Sequence, residues 1–411
     1  MRHIRPSGIS GRIEAPPSKS MTLRAVLAAA HAKGESILTR PSLCDDAIAA
    51  MNVAEALGAK VEKGEKEARI TGGGGPVGDV LDCGESGACM RMTAALAALR
   101  GKEFKLTGSG TLVSRPVGMV VGPLTALGAE CRTNNGNPPI LVKGPINGGT
   151  ILVDGSESSQ FVSGLLMALP LCDGDSTLVA RELKSKAYVR MTQCLLSEFG
   201  VDIEPDLSFS IFTIKGGQSY QACNYPVEGD WSGAAFMLVA GAIAGEVEVD
   251  NLHEDFQPDQ AVTDVLRGAG AKVQSLRGSV KAGAGRLRAF EFDATHSPDL
   301  FPPLVALACA CEGKSVIHGT KRLTHKESDR AAALVDGFNG LGAKITPAAN
   351  RMEIVGTKLA GGVLDPRKDH RIAMAGAVAA LISEKGVDIL DEGCVSKSFP
   401  RFFETLEGLM R

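Results

Sequence analysis

The stretch Leu57-Gly58-Ala59-Lys60-Val61 decides the fold because its pattern recurs along the chain. A helix-like segment ends in an apolar residue, a glycine follows, and a short strand-like run comes next. Four further copies occupy residues 127–131, 199–203, 269–273 and 341–345, with successive glycines 70 or 72 residues apart, and a frayed sixth copy is expected near Gly408. Glycine at this position adopts the left-handed conformation that closes a helix. The repeated unit therefore contains a helix followed by a strand.

A second helix recurs with the same period and is almost wholly apolar. Runs such as residues 94–99, which read Ala-Ala-Leu-Ala-Ala-Leu, have no polar face, so these helices are expected to be buried on all sides. Six units of this kind divide naturally into two domains of three. The six copies are predicted to begin near Ser18, Ser86, Glu157, Trp231, Ser297 and Asp369 and to stop at Gly34, Gly101, Gly174, Gly245, Gly313 and Gly386.

The polar heads of these buried helices are the first candidates for chemistry. A helix N-terminus presents free N–H groups and the positive end of its dipole, so it attracts anions. If the repeat points several helices the same way, their heads meet at one cleft. Ser86 and Ser297 also fit ordinary N-caps. Lys19 and Arg371, at two of the other heads, instead favour a site for phosphate or carboxylate groups.

Composition and charge exclude several classes of protein. The 411 residues carry 44 Lys plus Arg against 47 Asp plus Glu, and this net charge of −3 argues against nucleic acid or an anionic membrane as the main partner. No uncharged run is longer than that of residues 231–245, which is too short for a membrane span of about 20 residues. No apolar segment follows the basic N-terminus, so no signal peptide is expected. We predict a soluble, cytoplasmic protein.

Cysteine and histidine give no sign of a metal site. None of the ten cysteines forms a CxxC pair, and the seven histidines are scattered along the chain. Buried, reduced thiols and no structural zinc are therefore expected. Aromatic residues make up only 4% of the chain, which disfavours platforms that stack nucleic-acid bases. The sequence implies neither a metal nor an organic cofactor.

Five short polar segments carry the remaining chemical information, namely residues 17–24, 114–116, 326–330, 369–371 and 396–400. Lys19 lies in the first turn of a buried helix, at the unfavourable end of the dipole, which it tolerates only if an anion or a carboxylate compensates. Lys326 and Arg330 share one helix face at i, i+4. Most of these segments, taken singly, fit a solvated charge. Together they indicate a site for anions.

In their order along the chain, these segments resemble the 5-enolpyruvylshikimate-3-phosphate synthase family of enolpyruvyl transferases. The resemblance runs from Ser18-Lys19-Ser20 to Lys397-Ser398-Phe399-Pro400 and includes Ser158-Ser159-Gln160-Phe161. It implies an α/β (α+β) fold of two similar domains, each built from three βαβαββ repeats with buried helices, an inside-out α/β barrel. It assigns residues 18–228 to an N-terminal domain and residues 1–17 plus 229–411 to a C-terminal domain, with the active site in the interdomain cleft.

The resemblance also implies a reaction. Family members transfer the enolpyruvyl group of phosphoenolpyruvate to the 5-hydroxyl of shikimate 3-phosphate by addition and then elimination of phosphate. This step belongs to chorismate and aromatic amino-acid biosynthesis. The resemblance thus implies a transferase that acts on two small molecules, and we predict no nucleic-acid or membrane partner and a monomeric state.

Site residues carry over from the family position by position. Shikimate 3-phosphate is expected at Lys19, Ser20, Arg24, Ser158, Ser159, Gln160, Ser185, Asp299 and Lys326, with Tyr188 as a weaker candidate. Phosphoenolpyruvate is expected at Lys19, Gly87, Arg115, Gln160, Arg330, Arg371 and Lys397, with Arg91 and His370 nearby.

The chemistry calls for two acid/base groups, because the 5-hydroxyl must lose a proton while C3 of phosphoenolpyruvate gains one. Asp299 and Glu327 occupy the family's positions for these groups. We expect Asp299 to take the hydroxyl proton and Glu327, together with Lys19, to deliver the proton to C3. The residues alone leave open which acid makes which transfer.

One strip of sequence departs from the family pattern. The pattern Asn-(Ala or Ser)-Gly-Thr followed by Arg-Pro is here Glu85-Ser86-Gly87-Ala88 and then Arg91-Met92. Gly87 and Arg91 are retained, but the missing hydroxyl at Ala88 and the missing proline at Met92 change the support beneath Gly87. Sensitivity to glyphosate-type inhibitors is therefore left open. Arg322 stands where some members have an asparagine that contacts shikimate 3-phosphate.

Two other functions compete with this prediction. The UDP-N-acetylglucosamine enolpyruvyl transferases share the fold and the reaction but carry a cysteine in a mobile loop before their Arg-Pro pair, and residues 108–116 contain none. A non-catalytic binder of small anions would use the arginines but has no use for both Asp299 and Glu327. The two acids and the segment 158–160 therefore favour transfer to shikimate 3-phosphate.

Overall fold

The chain forms two compact units. The computed structural model describes residues 1–253 and 256–411. The N-terminal unit is Pro17–Val227, and the C-terminal unit combines Met1–Pro16 with Glu228–Arg411. Each boundary thus lies one residue before the predicted one. Among the residues described, no helix combines the length and apolar character that crossing a bilayer requires.

Twelve α-helices form within the described ranges. They are α1 (Lys19–His31), α2 (Asp45–Ala56), α3 (Gly87–Ala97), α4 (Val121–Ala126), α5 (Ser159–Ala168), α6 (Lys186–Glu198), α7 (Trp231–Ala244), α8 (Val262–Gly268), α9 (Phe301–Ala310), α10 (Arg330–Gly340), α11 (His370–Ala380) and α12 (Phe402–Leu409).

The same ranges contain 23 strands. The first fourteen comprise two strands of the C-terminal unit followed by the twelve of the N-terminal unit. They are β1 (Arg2–Ile4), β2 (Ile9–Glu14), β3 (Gly34–Thr39), β4 (Lys60–Glu62), β5 (Glu67–Gly72), β6 (Val80–Asp82), β7 (Glu103–Thr107), β8 (Glu130–Asn134), β9 (Asn137–Lys143), β10 (Thr150–Asp154), β11 (Ser176–Arg181), β12 (Glu204–Pro205), β13 (Ile211–Ile214) and β14 (Asn224–Pro226). The others are β15 (Gly245–Asp250), β16 (Lys272–Leu276), β17 (Ser279–Gly283), β18 (Glu291–Asp293), β19 (Lys314–His318), β20 (Lys344–Ala348), β21 (Arg351–Val355), β22 (Gly362–Leu364) and β23 (Val387–Ile389).

Five of the six sheets share one topology. In the sheet β6-β7-β9-β8, β6 and β7 are parallel with the buried helix α3 between them, whereas β7–β9 and β9–β8 are antiparallel. Parallel neighbours need such a crossover, and antiparallel neighbours need only a turn. The same order appears in β14-β3-β5-β4, β10-β11-β13-β12, β2-β15-β17-β16 and β18-β19-β21-β20. The predicted α/β architecture is confirmed, and three of these sheets are continuous βαβαββ repeats. In the other two, the outer parallel strands β14 and β2 come from a distant part of the chain.

The sixth repeat is incomplete. Its sheet has three strands in the order β22-β23-β1, and β1 pairs antiparallel with β23. The predicted sixth copy near Gly408 is wrong, because Gly408 lies inside α12 and no strand follows it. The N-terminal strand β1 takes the place against β23 that a hairpin strand takes in the other sheets. A helix-closing glycine is therefore not needed there.

The predicted helix-closing glycines are confirmed at the other five copies. Gly58, Gly128, Gly200, Gly270 and Gly342 all have φ between 75° and 104°. This left-handed region is strained for residues that carry a Cβ. At Gly58 the space is closed as well, since a Cβ would lie 2.2 Å from the carbonyl oxygen of Gly75.

The six apolar helices α1, α3, α5, α7, α9 and α11 are buried as predicted. In α7, for example, every residue from Trp231 to Ala242 is buried. α7, α9 and α11 pack against one another in the core of the C-terminal unit. The helices end one to six residues before the predicted glycines, because their last turns loosen into 3-10 hydrogen bonds such as Arg100 N–H to the Ala97 carbonyl.

Replacing Gly58 by alanine is expected to destabilise the N-terminal unit. The left-handed φ costs about 1–2 kcal/mol for alanine, and the overlap with the Gly75 carbonyl adds to it. Gly122→Ala is the matched control, because Gly122 is helical with open space around its Cβ position. Calorimetry should give a lower unfolding midpoint for Gly58→Ala and an unchanged or higher one for Gly122→Ala. Equal midpoints would contradict the proposed role of Gly58.

Candidate active site

Lys19 is the first residue of α1, directly after the N-cap Ser18. Its Nζ forms an ion pair at 2.9 Å with Oδ2 of Asp46, which is buried in the first turn of α2. The predicted need for a compensating carboxylate is thus confirmed. Asp46 itself was missed, since nothing in the sequence links it to Lys19 across 27 residues.

Arg24 is buried one turn further along α1. Its Nε donates to Thr192 Oγ1 at 2.8 Å, and its Nη groups donate to the carbonyl oxygens of Ser20 and Tyr188. Burial lowers the pKa of Arg24 to about 10, so the guanidinium remains charged at neutral pH. Arg24 therefore joins the starts of α1 and α6 while placing a positive charge between them.

The segment Ser158-Ser159-Gln160 forms the head of α5. Ser158 caps the helix by accepting from the Gln160 backbone N–H at 3.2 Å, and Ser159 is buried. The Gln160 side chain reaches back to accept a hydrogen bond from Arg91 Nη1 at 2.7 Å. Ser185, just before α6, is buried in a left-handed conformation with φ 53°. The predicted serines therefore all lie at helix starts.

Gly87 lies against two buried guanidinium groups. A Cβ at this position would be 2.9 Å from Arg91 Nη1 and 3.0 Å from Cζ and Nη2 of Arg115. Since both guanidinium groups approach the same point this closely, their positive charges repel each other. Gly87 is also the first residue of α3, so the helix dipole adds to the positive potential. The arrangement is suited to binding an anion, as the family resemblance predicts for Gly87 and Arg115.

Arg330 organises the predicted residues of the C-terminal unit. It is fully buried at the start of α10, and its guanidinium contacts three carboxylates. Nη1 donates to Asp299 Oδ1 at 2.9 Å, Nη2 to Glu327 Oε2 at 2.7 Å, and Nε to Asp369 Oδ2 at 2.9 Å. The two predicted acid/base residues are therefore held by one arginine.

Asp299 also faces two other cations. Arg371 Nη2 lies 3.1 Å from its Oδ2, and Lys326 Nζ lies 3.6 Å from its Oδ1. Burial alone would raise the pKa of Asp299, but Arg371, Lys326 and Arg330 together hold it well below its usual range. Burial lowers the pKa of Lys326 to about 8, an effect that Asp299 partly offsets.

Asp369 links Arg330 to the head of α11. Its Oδ1 caps the helix by accepting from the Arg371 backbone N–H at 3.0 Å, and its Oδ2 accepts from Ser328 Oγ as well as from Arg330. His370 and Lys397 are also buried in this unit. Nη1 of Arg371 has no hydrogen-bond partner among the residues described, which leaves a buried donor for an anion.

One further carboxylate in the C-terminal unit was missed. Asp259 is buried and accepts a hydrogen bond from Ser232 Oγ in the first turn of α7. Burial and the negative charge of Asp299 raise the pKa of Asp259 to about 7, although Arg371 acts in the opposite direction. The head of α7 could have suggested Ser232, but Asp259 belongs to no recognisable motif.

Removing the charge of Asp369 is expected to destabilise the C-terminal unit. Asp369→Asn keeps the shape of the cap but leaves Arg330 short of one buried counter-charge, at a cost of about 3 kcal/mol. Lys358→Ala, in the same unit, breaks an ion pair whose lysine is 76% exposed and should cost less than about 1 kcal/mol. Urea unfolding followed by the fluorescence of Trp231, the single tryptophan, reports on the C-terminal unit. Similar small losses in both variants would contradict the prediction.

The chain is similar to known proteins over nearly its whole length. The family profile described as EPSP synthase (3-phosphoshikimate 1-carboxyvinyltransferase) matches residues 4–406. The 3-phosphoshikimate 1-carboxyvinyltransferase of Methanocorpusculum labreanum is 37% identical over 410 residues, covering 98% of this chain and 97% of that protein. The protein of the same name from Aeropyrum pernix is 38% identical over 408 residues, covering 99% and 95%.

A solved structure of the same family is also similar to this chain. The EPSP synthase of Acinetobacter baumannii has a TM-score of 0.85 and 26% identity to this chain, with 99% of this chain and 98% of that one covered. The similarity thus extends over both units and over every segment that carries a predicted site residue. The match of residues 4–406, together with relatives above 35% identity along nearly the full length, shows that this chain belongs to the EPSP synthase family.

Proposed function

We propose that the residue clusters of the two units bind the two substrates of one reaction. The protein is a transferase that moves the enolpyruvyl group of phosphoenolpyruvate to the 5-hydroxyl of shikimate 3-phosphate, with release of phosphate. The single observation that carries the assignment of residues is the Arg330 cluster. It holds both predicted acids beside the cations Arg371 and Lys326.

The N-terminal unit supplies the buried cations Arg24, Arg91 and Arg115. We assign phosphoenolpyruvate to Arg115, Gly87 and Gln160, with Arg91 nearby. The closeness of the two guanidinium groups to Gly87 supports this, because an anion there relieves their repulsion. We assign the ring and phosphate of shikimate 3-phosphate to Arg24 and the serines at the helix starts, with Lys19 serving both substrates.

The C-terminal unit supplies the acids. Asp299 has a low pKa while three cations surround it, so it is a weak base in that state. Substrate anions that draw Arg371 and Lys326 onto themselves would weaken this stabilisation and raise the pKa of Asp299 towards the value that a base needs. We therefore assign the hydroxyl proton to Asp299. Glu327, hydrogen-bonded to Arg330, delivers the proton to C3 together with Lys19.

The remaining residues stabilise the negative charge that develops on the departing phosphate. Elimination releases phosphate, and the leaving group needs positive charge in a dry environment. Lys397 and Arg371 are both buried in the C-terminal unit, which favours strong electrostatic interactions with an anion. We assign both residues, with Arg330, to the phosphate and carboxylate of phosphoenolpyruvate. A monomeric enzyme in the cytoplasm is our further proposal, and ten free cysteines are consistent with a reducing compartment.

Phosphate release from phosphoenolpyruvate tests the reaction and both acids. Asp299→Asn and Glu327→Gln are each expected to lower kcat by about 10²–10⁴-fold, with KM values within about threefold, because a positioned acid or base acts mainly in the transition state. Lys215→Ala, on the exposed surface, should keep wild-type kinetics. An unchanged kcat in either acid variant would remove that residue from the mechanism. Release with UDP-N-acetylglucosamine but not with shikimate 3-phosphate would instead overturn the assigned acceptor.

The affinity for shikimate 3-phosphate should depend on the charge of Lys326. Because its pKa is about 8, Lys326 is protonated below that pH and loses its charge as the pH rises. If only the charged form binds phosphate, KM for shikimate 3-phosphate rises about tenfold by pH 9. Lys326→Arg stays charged, so its KM should vary little over the same interval. Parallel profiles for the two proteins between pH 7 and 9 would contradict this assignment.

A further inference from the structure

Residues 107–116, which include Arg115, are hydrogen-bonded at their beginning to residues 83–84, just before α3. The Ser109 backbone N–H donates to the Gly84 carbonyl at 2.8 Å, and the Cys83 N–H donates to the Thr107 carbonyl at 2.9 Å. The chain then makes a 3-10 turn over Gly110–Ser114 before it reaches Arg115. The position of Arg115 therefore depends on the contacts that fix this turn.

Glu85 holds the turn through its side chain. Its Oε2 accepts from both the backbone N–H and the Oγ1 of Thr111, at 3.0 and 3.1 Å. The fit is close, since a Cβ at Gly110 would lie 2.0 Å from Glu85 Oε1, and Gly110 has φ 52°. Only glycine therefore allows the turn to pass this near to the carboxylate.

The far end of the segment is held by a cation. Arg91 Nη2 donates to the Pro116 carbonyl at 2.7 Å, and the same guanidinium lies beside that of Arg115 over Gly87. Repulsion between these two groups would push Arg115 away from Gly87 if its segment were free to move. The Glu85 contact to Thr111 opposes that displacement from the other side of Arg115.

We propose that Glu85 is a positioning residue, which keeps Arg115 against Gly87 by fixing the turn 110–114 and thereby sets the affinity for the anionic groups of phosphoenolpyruvate. The inference rests on the proposed role of Arg115 in binding that substrate. It gives a function to a position at which this chain departs from the family pattern, where asparagine is usual. Glutamate acts here as an acceptor for two donors of one loop residue, a role that an amide oxygen of the same reach can also fill.

Steady-state kinetics of Glu85 variants test the proposal. Glu85→Ala removes the acceptor and is expected to raise KM for phosphoenolpyruvate about tenfold, with KM for shikimate 3-phosphate within about twofold of wild type. Glu85→Gln retains an oxygen of the same reach and should restore KM to within about twofold. Thr111→Val loses the hydroxyl but keeps the backbone donor, so a rise of about threefold is expected. Thermal unfolding confirms that each variant is folded.

A double-mutant cycle tests whether Glu85 acts through Arg115. In an Arg115→Ala background, adding Glu85→Ala should change KM for phosphoenolpyruvate by less than about twofold. A full tenfold effect in that background would overturn the proposal. So would an equal rise in both KM values, since that pattern indicates general loosening of the unit.

The cycle also separates this proposal from the function it rests on. If Arg115→Ala leaves KM for phosphoenolpyruvate unchanged, the assigned role of Arg115 fails, and the inference about Glu85 fails with it. If Arg115→Ala raises that KM while Glu85→Ala does not, only the role of Glu85 is overturned. Phosphate release by the wild-type protein with shikimate 3-phosphate tests the reaction itself, independently of either residue.

Discussion

Burial of six helices on every side is the constraint on which the rest of the structure depends. α1, α3, α5, α7, α9 and α11 are buried along nearly their whole length, and their lysine and arginine side chains all lie within the first two turns. Most predicted site residues lie at or within one turn of such an end. The hydrophobic core and the reactive groups are therefore produced by the same repeat, in which apolar helix bodies follow short polar heads.

The two units contain different arrangements of charged side chains. In the C-terminal unit, Arg330 gathers three carboxylates, and the cations beside them are paired within a few ångströms. In the N-terminal unit, the guanidinium groups of Arg91 and Arg115 lie side by side at the start of α3, and that of Arg91 donates to the Gln160 amide oxygen and the Pro116 carbonyl oxygen. The first arrangement suits proton transfer by acids of tuned pKa. The second suits the capture of a negatively charged substrate.

Local features were predictable from the sequence, and long-range partners were not. The left-handed glycines such as Gly58 depend on a conformation that one residue decides, and the helix starts depend on caps such as Ser18 and Asp369. Asp46, Asp259 and the Glu85 contact to Thr111 depend on which loops the tertiary fold brings together. Gly408 misled the repeat analysis because β1, almost 400 residues away in sequence, completes the last sheet in place of a local hairpin.

That pairing has a consequence for synthesis. β1 and β2 leave the ribosome first, yet their partners β23 and β15 are made after the whole N-terminal unit. Pro17–Val227 contains all the strands of its own sheets and can complete them during translation, while the first sixteen residues wait. Contacts of such sequence separation form slowly. β2 can pair once β15 has emerged, whereas β1 stays unpaired until β23 is made. A chaperone would therefore be most useful in the interval before these partners emerge, when strand edges of the nascent chain are exposed.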